Sequence, residues 1–203
     1  MKKGIISLLL VFLALPIVAQ GEARTLLERT VEAVRKAGGI HADFTVKSGG
    51  AVLSKGTIDL LGDSFVLDTH DAVTWFNGET QWTYLPSADE VTVSHPTQEE
   101  LQSINPYAWL SLYRHGYKAV QVPCNDASRY RISLTEEKKG SLQQITLDIS
   151  KQTLLPLRVV LKPQGGETLE IVITACQTGR KFAKEFFSFN PKRYPKAEVI
   201  DLR

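Results

Sequence analysis

Between Ala23 and Ala37 the apolar residues Leu26, Leu27, Val31 and Val34 recur among Arg, Glu and Lys at helical spacing, and Gly38-Gly39 closes the run. From Ile40 the period changes to two. His41-Ala42-Asp43-Phe44-Thr45-Val46-Lys47 alternates cleanly and turns at Ser48-Gly49-Gly50. Val52 to Leu61 and Phe65 to Thr69 follow, split by Gly62-Asp63. Val73 to Phe76 and Thr80 to Leu85 flank Asn77-Gly78, the strongest hairpin signal in the chain. After Pro86 to Glu90 comes Val91-Thr92-Val93. Such short polar turns leave no room for crossover helices, so the pattern predicts an antiparallel sheet.

The alternation then breaks. Thr97-Gln98-Glu99-Glu100 has the form of a capping box, with a Thr oxygen for the N3 amide and a Glu reaching back. Leu101 and Ile104 share a helical face, and Pro106 predicts a break before a second helical piece with Trp109 and Leu110. Strands resume at Tyr117 to Val122, Arg129 to Thr135, Leu142 to Ile149, Leu155 to Lys162 and Thr168 to Ala175. A helical turn at Ala183 to Phe187 and a last strand at Glu198 to Leu202 complete the reading. The expectation is a mainly β domain of about ten or eleven strands with an N-terminal helix and a helical lid.

The first twenty residues stand apart. Met1-Lys2-Lys3 is basic, Ile5 to Val18 is apolar except for Ser7 and Pro16, and Ala19-Gln20-Gly21 is small or polar. This is the form of a secretory signal peptide over 1–20, leaving a single domain at 21–203 in the periplasm. The formal charge of +2 falls to about zero without Lys2 and Lys3. A nucleic-acid binder would need a clear basic excess, so that class is excluded. At 43% hydrophobic and 23% charged residues, disorder is excluded too.

Candidate chemistry is sparse. His41, His70, His95 and His115 lie far apart, and neither a zinc-ligand spacing, a nucleophile elbow nor a phosphate-binding glycine loop is present. No cofactor or metal is expected, and no enzymatic activity. Cys124 and Cys176 are the two cysteines, each at a strand end; export makes a disulfide between them the expectation. Large apolar groups are concentrated on alternating strand positions. Phe44 with Val46, Ile58 with Leu60, Phe65 with Leu67, Trp75, and Trp82 with Tyr84 face one way, and Leu101, Ile104, Trp109 and Leu110 come from the helical piece. They either fill an ordinary core or line an apolar cavity under a lid, and spacing alone leaves both open.

The order of these elements resembles a known family. His41-Ala42-Asp43-Phe44-Thr45, the stretch Phe76-Asn77-Gly78-Glu79-Thr80-Gln81-Trp82-Thr83-Tyr84, and the ending Phe187-Ser188-Phe189-Asn190-Pro191 through Val199-Ile200-Asp201 are similar to the periplasmic lipoprotein-carrier family LolA. The resemblance implies an unclosed antiparallel β-barrel with helices over its open mouth. It implies a monomer that takes acylated lipoproteins from an inner-membrane ABC-type releasing complex and carries them to an outer-membrane receiver. The alternative on the same half-barrel is a regulatory module that senses lipid or lipoprotein. One family feature is missing: Leu61-Gly62-Asp63-Ser64 stands where a basic latch for the lid would be, and no residue inherits that role.

Overall fold

A helix needs a continuous apolar stripe to hold it against a sheet, and Ala23, Leu26, Leu27, Thr30, Val31 and Val34 supply one. The computed structural model describes residues 15–97, 100–101, 109–110, 112–137 and 142–203, with backbone alone at 15–20. Helix α1 is Leu15–Lys36. Its described residues 15–20 lie inside the stretch assigned to the signal peptide. Thr30 is buried in the apolar stripe, and its hydroxyl donates to the Leu26 carbonyl at 2.9 Å. Gly38 ends the helix at φ 69°, and the Gly179 N–H donates to the Ala37 carbonyl at 2.9 Å, pinning the helix end to the sheet.

The strands are β1 (Gly39–Ser48), β2 (Ala51–Leu61), β3 (Ser64–Thr69), β4 (Val73–Phe76), β5 (Gln81–Leu85) and β6 (Glu90–Ser94). After the helical interruption come β7 (Tyr117–Val122), β8 (Arg129–Glu136), β9 (Leu142–Ser150), β10 (Pro156–Pro163), β11 (Leu169–Arg180) and β12 (Glu198–Asp201). They form one twelve-stranded sheet in the order β12-β6-β5-β4-β3-β2-β1-β11-β10-β9-β8-β7. The two end strands do not meet, so the sheet is an unclosed barrel wrapped around α1. Leu26 and Leu27 pack on Ile132, Leu134, Ile145, Leu147 and Ile149, all buried on the inner face of β8 and β9.

Two expectations are corrected by the topology. The strands number twelve, and β12 pairs with β6 in parallel. Residues 181–197 carry the chain from β11 across the outer face to the far edge, a connection long enough for a parallel approach. The Cys124–Cys176 disulfide is the second correction, since both thiols are free. Cys124 follows β7 and Cys176 lies in β11, with β8, β9 and β10 between them. At about 4.8 Å per strand spacing the two are well beyond the roughly 7 Å Cα limit of a bridge.

The outer face of β8 to β11 is held by charge. Asp148 is 1% exposed and accepts two hydrogen bonds from Arg131, at 2.5 and 2.8 Å, while Arg158 reaches the same Oδ2 at 3.5 Å and also pairs with Glu170. The Asp148 hydrogen bond holds the Arg131 guanidinium above its ordinary pKa. Asp148→Asn keeps the size but leaves Arg131 without its counter-charge. The expected loss is about 3 kcal/mol in a urea titration. Alkylation of the oxidised, denatured chain should label both cysteines without prior reduction; labelling of neither would mean a bridge.

Candidate functional site

Side chains alternate along a strand, and the hydrogen-bonded register carries that facing from each strand to the next. From β11 through β1 to β5, Cys176, Ala42, Ile58, Leu67, Thr74 and Thr83 stand opposite one another in sequence. All six line one cavity of about 540 Å³. From β9 through β11 to β2, Leu147, Val159, Ile171, Val46 and Ser54 form a second such row, and they line the same cavity. Val34 of α1 and Trp109 and Leu110 of the helical piece close it from the open side of the sheet. None of the described lining residues carries a charge; the polar ones are Ser54, Thr69, Thr74, Thr83 and Cys176. Burial pushes the Cys176 thiol above its usual pKa.

Close approach of backbone and ring shapes one wall. A Cβ on Gly56 would lie 2.4 Å from the Asp68 carbonyl oxygen and 2.7 Å from the Phe44 ring, so the ring lies against β2 only because position 56 has no side chain. The capping box at the start of the helical piece is present. The Thr97 N–H and hydroxyl donate to Glu100 at 2.7 and 2.9 Å, and the Glu100 N–H donates to the Thr97 hydroxyl at 3.3 Å. Those bonds hold the Glu100 carboxyl below its ordinary pKa.

Of the residues singled out from the sequence, Phe44, Val46, Ile58, Leu60, Leu67, Trp109 and Leu110 line the cavity. Leu101 packs against the adjoining cluster of Ile40, Phe44 and Phe76, and Ile104 lies outside the described residues. Phe65 points inward but is fully buried against Phe76, with ring centroids 5.4 Å apart, beneath the cavity surface. Trp75, Trp82 and Tyr84 are a correction: they face outward. Trp75 stands opposite Val66 and Trp82, one position out of step with the inward row of Leu67, Thr74 and Thr83. In Val73-Thr74-Trp75-Phe76 either parity presents a bulky residue, so alternation favours the aromatic one for the cavity although the threonine occupies it.

What covers the outward aromatics is the C-terminal segment. Phe182, Phe187, Phe189 and Tyr194 pack on Val66, Trp75, Trp82 and Tyr84. Trp75 lies edge-on to Phe189 and Tyr194, each at 5.7 Å, and the Tyr84 and Tyr194 centroids are 4.5 Å apart. The Phe187-Ser188-Phe189 spacing is visible in the sequence; its docking surface is not. The inner wall on β9 to β11 escapes the sequence reading, although Leu169, Ile171 and Ile173 are spaced two apart.

An open sheet curled around a helix, with an uncharged apolar cavity on its inner face, defines a binding protein of the half-barrel class. The family model described as outer membrane lipoprotein carrier protein LolA matches residues 15–165, and the chain belongs to this family. An uncharacterized conserved protein from Thermus thermophilus has a similar structure, with a TM-score of 0.63 and 13% identity over 89% of this chain and 99% of that one. A DUF1329 family protein from Desulfovibrio piger ATCC 29098 aligns with a TM-score of 0.52 and 12% identity over 84% and 97% of the two chains. At such identity these likenesses establish the fold alone. Among curated protein sequences none matches the chain significantly.

The two faces of β4 and β5 separate stability from binding. Trp75→Ala should cost about 3–5 kcal/mol in a denaturant titration. The folded fraction should keep its full affinity for a hydrophobic probe, because the ring faces the C-terminal segment.

Proposed function

We propose that the chain is a periplasmic carrier that shields the acyl chains of lipoproteins and moves them from an inner-membrane ABC-type releasing complex to the outer membrane. The observation that carries this reading is the cavity of about 540 Å³ with no charged group among its described lining residues. Ligand sites of this kind run from roughly 300 to 1,000 Å³. Burial of an acyl chain is worth about 0.8 kcal/mol per CH₂, on the order of 10 kcal/mol for one long chain, so unshielded transit through water is prohibitive. Leu60, Leu147, Val159, Leu161 and Ile171 offer a matching surface. Membership of the carrier family supports the same cargo class.

In this reading the signal peptide at 1–20 is removed on export, and the domain at 21–203 acts as a monomer without cofactor or chemical step. Among the described residues no helix is long and apolar enough to cross a membrane. Release requires the cavity to open. Trp109 and Leu110 are the wall residues that would have to yield, since they belong to no strand of the sheet. The receiving surface then competes for the chains.

The test is displacement of a hydrophobic fluorescent probe by diacylated and triacylated lipopeptides from the purified mature protein. Binding of the probe and its displacement are expected. Ala42→Phe fills the cavity from β1 and should lower lipopeptide affinity at least tenfold, while the denaturant midpoint stays near that of the parent. A parent protein that takes up neither probe nor lipopeptide would overturn the carrier reading. In cells, depletion should leave lipoproteins at the inner membrane.

A further inference from the structure

Strand β11 runs on past the end of its neighbour β10. It pairs with β10 only from Leu169 to Val172, whereas its pairing with β1 continues to Arg180. The two strands part where both are bulged. Leu157 of β10 is the extra residue against Asp148 and Ile149, and Thr174 of β11 is the extra residue against Asp43 and Phe44. A bulge bends its strand, and Pro156, next along β10, has no N–H to offer across the gap. Leu155 and Pro156 on one lip and Cys176 on the other line the cavity, and Cys176 is exposed, so the cavity meets solvent at this split. From Thr174 to Arg180 every residue of β11 is exposed, and among the described residues no strand pairs with them on the side away from β1. The Gly179 N–H is taken by Ala37, which leaves Ala175 to Thr178 as the free length.

A free edge invites pairing with any extended chain, and sheets commonly blunt it with charge or proline. The two outer edges of this sheet carry such charges, Lys118 on β7 and Glu198 and Asp201 on β12. Thr174-Ala175-Cys176-Gln177-Thr178-Gly179 has neither. Along such an edge every second residue directs both its N–H and its C=O to the free side. At about 3.3 Å per residue, Ala175 to Thr178 span roughly 13 Å. That is too short to hold two folded copies of the chain together, since a stable interface buries at least about 1,000 Å². It is enough for a short peptide already anchored by another part of the same molecule, because tethering raises its effective concentration to roughly the millimolar range.

We infer that the edge of β11 at Ala175 to Thr178 binds the peptide of the cargo next to its acylated end, as an extended strand added to the sheet. The inference rests on the carrier reading and adds to it a contact with the protein part of the cargo. Acyl chains held in the cavity and leaving at the split pass Cys176, and the peptide that follows them lies along the edge. Main-chain hydrogen bonds carry the recognition, so cargoes of different sequence are accepted alike.

The experiment displaces diphenylhexatriene from the mature protein with one lipid, dipalmitoylglyceryl-cysteine amide, alone or extended by a short uncharged peptide of Ser and Asn. The peptide should tighten binding about tenfold. Its backbone is then N-methylated at alternate residues, in two complementary sets. One set should remove the gain and the other should keep it, because an added strand uses every second N–H. A benzophenone placed in the middle of the peptide should cross-link to residues 174–180, as read by mass spectrometry. Equal affinity with and without the peptide overturns the edge site but leaves the carrier reading standing. A gain that survives both methylated sets also overturns it, since side chains would then hold the peptide, as do cross-links confined to β7 or β12. A chain that sediments as a dimer and loses the peptide gain as it is concentrated would assign the edge to a second copy and overturn the peptide site. A protein that binds neither diphenylhexatriene nor either ligand would overturn the carrier reading itself.

Discussion

In this sheet a side chain cannot change face unless its neighbours on both strands change with it. Opposed residues in an antiparallel ladder point the same way, so one inward position on β1 commits a position on β2, and that commits β3, β4 and β5. The row from Cys176 through Ala42, Ile58, Leu67 and Thr74 to Thr83 is this constraint made visible. Its counterpart on the other side is the row of Asp59, Val66, Trp75 and Trp82. The cavity and the outer aromatic cluster both follow from that one parity.

A protein with an underfilled interior must find its stability elsewhere, because cavity walls lose packing partners. Here the two halves of the sheet use different means. On β8 and β9, α1 packs against the inner face, and the Arg131–Asp148–Arg158–Glu170 ladder clamps the outer face of β8 to β11. On β3 to β5, which give the cavity part of its wall, the C-terminal segment packs Phe187, Phe189 and Tyr194 on the outside and then adds β12 beside β6. That cover shields Val66 and Trp75 from water without occupying the binding side.

The same division bears on how the cavity could be gated. Trp109 and Leu110 contribute wall to the cavity. Displacement of those two residues would expose apolar wall without breaking a ladder hydrogen bond, since they belong to no strand pair.

Local rules are readable from the chain because each depends on a few neighbouring residues. Period two against period 3.6 separates strands from α1, Asn77-Gly78 marks its hairpin, and Thr97 with Glu100 forms the cap their spacing predicts. Under a third of the cavity wall is legible, and Phe44, Val46 and Ile58 are clear for the same reason: only polar residues flank them on the other parity. Where both parities carry bulky groups, as at Thr74-Trp75, alternation is degenerate, and only the pairing with β3 decides which side chain faces in. The separation of Cys124 and Cys176 likewise depends on strand order, a property of the whole sheet. Local patterning thus sets the elements and the apolar character of the interior. The register of twelve strands decides that Thr74 and Thr83 line the interior and that Trp75 and Trp82 lie outside, because facing is passed along hydrogen bonds between strands distant in the chain.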